Sequence, residues 1–130
     1  YHTIIPAMVT READDSLYAS YGVMGGFMQP QGHVQVLSAL VDKGLDPQAA
    51  LDLPRFCIDV DEDGGEVAME DGIPQETILG LKNMGHAIYP VSGYERALFG
   101  RGQVILRDSA TGTLTAGSDP RADGCAMTLI

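Results

Sequence analysis

The 130-residue chain is 45% hydrophobic, enough for one domain with its own core and too short for two ordinary ones. Eighteen acidic residues against eight Lys and Arg give a formal charge of -10, which sets the chain against nucleic acid and other polyanions. No apolar run approaches the roughly 20 residues of a membrane-spanning helix, and no basic-then-apolar signal opens the sequence, so no membrane partner is expected and the compartment stays open.

Residues 3–9 are rich in β-branched side chains around Pro6 and predict a strand that lies at an edge or ends near the proline. The chain opens at Tyr1, without Met and already in strand material, which predicts a start inside a larger protein. A polar turn at 11–16 leads into strand character at 17–22, and the two pieces can pair as a hairpin. The second strand runs directly into Gly22-Val23-Met24-Gly25-Gly26-Phe27-Met28-Gln29-Pro30-Gln31-Gly32-His33. Over 31–43, Val34, Leu37, Leu40 and Val41 recur at helical spacing, and Gly44 stands where a helix would stop. Asp46 before Pro47 predicts the N-cap and first position of a short helix that Pro54 closes.

The period then changes to two. Residues 55–58 and 66–69 predict strands on either side of an acidic turn, and 74–84 predict a helix ended by Gly85, with Ile78 and Leu81 facing the core. Residues 87–89, 103–106 and 113–116 are further strand candidates, the last two joined by a turn at 108–112. The sum is one α+β domain over 1–130 with mostly antiparallel strands and about three helices.

Asp59, Asp61 and Asp63, then Gly64 and Glu70, match the spacing of a calcium loop. Strand-like rather than helical flanks favour a solvated hairpin turn that binds cations weakly if at all. His2, His33 and His86 lack metal-ligand spacing, so no metal site is expected. His33 reads as a structural hydrogen-bonding residue, with direct catalysis the alternative. Cys57 and Cys125 form no Cys-x-x-Cys pair and read as free and buried. No serine sits in a nucleophile elbow, and no phosphate loop or dinucleotide fingerprint occurs, so no cofactor is expected. What remains is the Gly25-Gly26 pair at a helix start. Such pairs are more often simple turns or bulges, yet two glycines also let consecutive N–H groups approach a developing negative charge. With His2 and Thr3 on a nearby strand they make half of an acyl-transfer site, donors without an attacking group.

Several pieces occur together in one order: Pro6, Gly22-Val23-Met24-Gly25-Gly26, Val41-Asp42-Lys43-Gly44-Leu45-Asp46, Leu53-Pro54-Arg55-Phe56, Gly85-His86 and Gly117-Ser118-Asp119-Pro120-Arg121-Ala122-Asp123-Gly124. In this ordered set the chain resembles the C-terminal part of the small subunit of γ-glutamyltransferases, over nearly all its length. The resemblance implies an αββα sandwich of the N-terminal-nucleophile hydrolases. In these a precursor cleaves itself, and the freed N-terminal Thr attacks a γ-glutamyl amide such as glutathione, passing the acyl group to an amino acid, a peptide or water. It further implies oxyanion donors at Gly25 and Gly26 and substrate contacts at His2 and Thr3. There the family's Ser-Ser pair is replaced, which leaves room for an amide acylase of different specificity. The nucleophile and the groups that bind the substrate's α-amino and α-carboxylate are implied to lie before Tyr1. The implied partner is therefore a large subunit or the remainder of the same protein, the 130 residues alone are expected to be inactive, and they are open to self-association. A non-catalytic domain that keeps the fold is the reading from another class.

Overall fold

The computed structural model describes residues 6–59 and 65–128. β1 (Ala7–Thr10) and β2 (Leu17–Met24) form the expected hairpin, with Ala7 opposite Tyr21. β6 (Arg101–Arg107) pairs antiparallel with β2, and β7 (Leu114–Ser118) with β6, giving an antiparallel sheet in the order β1-β2-β6-β7. Successive strand residues point to opposite faces, and the burial follows: Ala19, Tyr21 and Val23 of β2 and Val104 of β6 are buried. They meet Val36, Ala39 and Leu40 of α1 (Met28–Val41) and Ala50 and Leu51 of α2 (Pro47–Asp52) in one core. Among the described residues no helix covers the opposite face, where Met8 and Ile105 are exposed.

α1 begins three residues ahead of the expected start. Pro30 does not prevent this, because a proline in the first turn withholds an N–H that has no intrahelical acceptor anyway. α2 is capped as expected, the Asp46 carboxylate accepting from Ala49 N at 2.9 Å.

β3 (Phe56–Asp59) and β4 (Glu66–Glu70) pair antiparallel, and β5 (Ile88–Val91) joins β4 in parallel, connected through α3 (Gln75–Asn83). α3 buries no residue completely, so Ile78 and Leu81 are half-buried instead of core positions. A 3₁₀ segment, Gly93–Phe99, leads into β6 and delivers Phe99 to a second core with Met28, Cys57, Ala68 and Val91. Cys57 is free and buried as expected, whereas Cys125 is free but exposed.

Two strand edges are finished by glutamine side chains instead of another strand. The Gln35 amide accepts from Phe56 N at 3.0 Å and donates to Phe56 O at 2.9 Å. Gln31 repeats this with Ile58 at 2.8 and 2.9 Å. One helical turn thus matches two residues along β3, and both amides satisfy edge groups that would otherwise be open to another chain. Gln48 of α2 does the same for Ser118 of β7, at 3.1 and 3.0 Å.

Candidate functional site

β2 ends at Met24 and α1 starts at Met28, and the chain turns between them on Gly25 and Gly26, with φ of 149° and 57°. These values suit glycine and few other residues. The carbonyls of the pair are committed to the first helical turn, Met28 N donating to Gly25 O at 3.0 Å and Gln29 N to Gly26 O at 3.1 Å. Their own N–H groups have no acceptor among the described residues. The helix they precede has Phe27 at its N-cap, no side-chain cap and no acidic residue in its first turn. With Met28 N and Gln29 N bonded back to the glycine carbonyls and Pro30 lacking an N–H, the donors left for an anion are those of the glycine pair, in front of a positive dipole end that no acidic side chain neutralises.

The turn is wedged from behind. A Cβ on Gly25 would come within 3.1 Å of Gly100 Cα, and one on Gly100 within 2.4 Å of Met24 O, so the two segments touch backbone to backbone. Gly100 is held in its turn by its neighbours. Phe99 O accepts from Arg55 Nη1 at 3.1 Å, and Gly102 N donates to Asp119 Oδ2 at 2.7 Å.

Those contacts belong to a buried ion cluster whose members come from distant parts of the chain. Arg55 Nη2 meets Asp119 Oδ2 at 2.8 Å, with both side chains almost fully buried. Arg121 Nη1 meets Asp119 Oδ1 at 3.1 Å, and its Nε and Nη2 both bond to the Glu70 carboxylate. Arg96 Nε reaches the same carboxylate at 2.5 Å, and Arg55 N donates to it at 2.8 Å. Burial alone would raise the Glu70 pKa, but the hydrogen bonds from Arg121, Arg55 N and Arg96 overcome it and hold the carboxyl below its ordinary value. Burial pushes Arg55 down against the pull of Asp119; for Arg121 burial also pulls down, but the hydrogen bonds and charges of Glu70 and Asp119 together overcome it and raise the group.

β3 and β4 pair antiparallel, and residues 60–64, where the acidic turn is expected, lie outside the described residues. Glu70, the distal carboxylate of the calcium-like spacing, is taken up by arginines. No cluster of His, Cys, Asp and Glu suited to a metal occurs among the described residues. His33 is buried in α1, its Nδ1 2.6 Å from Gln29 O and its ring 5.2 Å from that of Tyr21, so it pins the first turns of α1 to β2. His2 and Thr3 lie outside the described residues. A cleft of about 300 Å³ opens beside the turn, lined by Pro6, Gly22, Met24, Gln29, Arg101 and Gln103 among others. The larger cleft, about 610 Å³, lies between the 3₁₀ segment and residues 120–123. The sequence reading found the glycine turn and quoted Arg55, Asp119 and Arg121 without their roles. Glu70 stands out in the sequence only as the distal carboxylate of the calcium-like spacing, and Arg96 and Arg101 carry no local signal.

The family model for gamma-glutamyltranspeptidase matches residues 1–129. The chain is 33% identical, over 98% of its length, to the glutathione hydrolase-like YwrD proenzyme of Bacillus subtilis, and covers 24% of that protein. It thus spans about a quarter of the length of this curated relative. Among solved structures, the cephalosporin acylase from Bacillus halodurans superposes with a TM-score of 0.86 at 46% identity, over 96% of this chain and 22% of that one. The gamma-glutamyltranspeptidase from Pseudomonas nitroreducens does so with a TM-score of 0.80 at 22% identity, over 100% and 64%. The α+β architecture is that of the N-terminal-nucleophile hydrolases.

Proposed function

The chain belongs to the gamma-glutamyltranspeptidase family, and from that premise we propose that it forms the oxyanion-binding part of an autoprocessed enzyme that cleaves γ-glutamyl amides through an acyl-enzyme. One observation carries the reading: two successive glycines present N–H groups without internal acceptors at an uncapped helix N-terminus, on a turn braced by Gly100. In the proposed mechanism an N-terminal Thr upstream of Tyr1 attacks the amide carbonyl through its hydroxyl oxygen while its own amine takes the proton. The carbonyl oxygen becomes an oxyanion on Gly25 N–H and Gly26 N–H. Collapse expels the amine, which receives that proton, and water or an acceptor amine then attacks the ester. His2 and Thr3 are proposed to contact the substrate.

Preorganised donors of this kind gain most at the transition state, when the oxygen carries its full charge. Gly25→Ala would set a Cβ 3.1 Å from Gly100 Cα and 3.2 Å from Met28 Cβ, forcing the turn to shift. In the full-length protein acting on a chromogenic γ-glutamyl anilide, this variant is expected to lose about 10²- to 10³-fold in kcat, the usual effect of one lost oxyanion donor. Unchanged kcat with an intact fold would remove the turn from the mechanism. Absence of an upstream Thr at an autocleavage point would remove the mechanism altogether and leave a non-catalytic domain.

A second reading, an amide acylase of different specificity, is favoured by one comparison. The chain is 46% identical to the cephalosporin acylase and 22% identical to the gamma-glutamyltranspeptidase structure. Competition between a γ-glutamyl anilide and a cephalosporin amide, read as the ratio of kcat/KM, decides between them.

A further inference from the structure

Four of the chain's eight Lys and Arg residues, Arg55, Arg96, Arg101 and Arg121, gather at one end of a molecule whose formal charge is -10. Two are held in the buried ion cluster. Arg55 is paired with Asp119, and Arg121 divides its donors among Glu70, Asp119 and the carbonyls of Leu51 and Leu53. The other two are open. Arg96 gives its Nε to Glu70, so a buried carboxylate fixes its guanidinium while both terminal nitrogens lack a partner among the described residues. Arg101 is exposed at the start of β6, with Met24 Sδ at 3.9 Å from its Nη1 and no ion pair among the described residues. Both line the 610 Å³ cleft, and Arg101 also borders the smaller cleft beside the glycine turn. Asp123 is the one carboxylate in the lining of the larger cleft and pairs with neither arginine among the described residues.

We propose that this cleft binds the carboxylate of a small molecule, held by Arg101 and the terminal nitrogens of Arg96. A guanidinium presents a planar fork of donors that matches a carboxylate, and one already anchored by its Nε loses less freedom on binding. Two open cations facing one aspartate suit a singly charged group better than a phosphate dianion. Met24 is the cross-strand partner of Arg101 and directly precedes Gly25, so the anion sits beside the glycine turn. For its part in turnover the inference rests on the acyl-transfer reading, with the carboxylate orienting a ligand against the oxyanion donors; binding itself needs no turnover.

Calorimetry on the full-length protein, with glutarate and its neutral diamide glutaramide as probes, reads the site directly. Glutarate is expected to bind and glutaramide to bind at least tenfold more weakly. Arg101→Gln is expected to weaken glutarate at least tenfold at unchanged melting temperature, and Arg101→Lys less. Failure of glutarate to bind, equal binding of the two probes, affinity unaffected by Arg101→Gln, or tight binding of inorganic phosphate in place of glutarate would each overturn the site. An enzyme that still turns over amides after such a result keeps the proposed chemistry. Glutarate binding lost on Arg101→Gln in a protein without turnover keeps the site and rejects the chemistry.

Discussion

Arg121 shows how completely a single side chain can be used. A guanidinium has five N–H donors, and Arg121 has a partner for each: Glu70 twice, Asp119, Leu51 O and Leu53 O. Its pairing with Glu70 makes that carboxylate the best place to probe the cluster. Glu70 titrates below its ordinary value of 4.5 in the fold. A group with a depressed folded pKa contributes stability that is fully present above the unfolded value and is lost as pH falls through the folded one. Acid unfolding is therefore expected to set in below about pH 4.5 and to steepen as Glu70 protonates. Glu70→Gln removes the charge and leaves the buried Arg121 facing a neutral amide, a change that typically costs about 3–5 kcal/mol. Denaturant melts from pH 7 down to 3 check both parts: the variant should start lower and show a flatter acid limb. Equal acid limbs would mean that other carboxylates govern the transition. The sequence named Arg55, Asp119 and Arg121 only as parts of a family resemblance, because partners so far apart along the chain are joined only by folding.

Among the elements, the three glutamines that finish β3 and β7 explain why short edge strands can stand there. Gln31 and Gln35 are one helical turn apart on α1, and each amide supplies one donor and one acceptor to a single β3 residue. The register follows from geometry: a helix rises about 6 Å in four residues, close to the span of two residues in a strand. Gln31→Ala and Gln35→Ala each leave one N–H and one C=O of β3 without their partner. Because these groups lie at the surface and water can replace the amide, each substitution is expected to cost roughly 1 kcal/mol, within the net range for protein hydrogen bonds. Hydrogen exchange at Phe56 and Ile58 is the sharper check, and both amides should lose protection while those of β6 do not. The Asp46-Pro47 cap made α2 legible, and hydrophobic periodicity made α1, α3 and the hairpins so. It could not show these glutamines, which carry the pattern of an ordinary polar helix face. The 3₁₀ segment was also hidden, since the 7 residues of Gly93–Phe99 are too short a run to display a period.

At the scale of the whole molecule the two faces of the β1-β2-β6-β7 sheet differ in kind. One is closed by α1 and α2; no element among the described residues covers the other. The register makes the open face continuous, since Met8 stands opposite Ser20, Ser20 opposite Ile105 and Ile105 opposite Ala116, in one row across all four strands. Met8 is 75% exposed and Ile105 43%, and neighbouring Met24 is 52% exposed. In a sandwich of two stacked sheets this is the face that would meet the second sheet, at about 10 Å. These exposed apolar side chains, parted by Ser20, are costly in water, and a second copy of the chain can cover them. The 130-residue chain by itself is therefore expected to associate in a concentration-dependent way. The double variant Met8→Lys with Ile105→Lys places charges at the edge and inside the row without touching the Tyr21–Val36 core, and should return the chain to a monomer with its helix content preserved. Sedimentation velocity across a hundredfold range of concentration makes the comparison. A parent chain that stays monomeric throughout would show that the open face needs no cover, and association that survives both lysines would place the contact elsewhere.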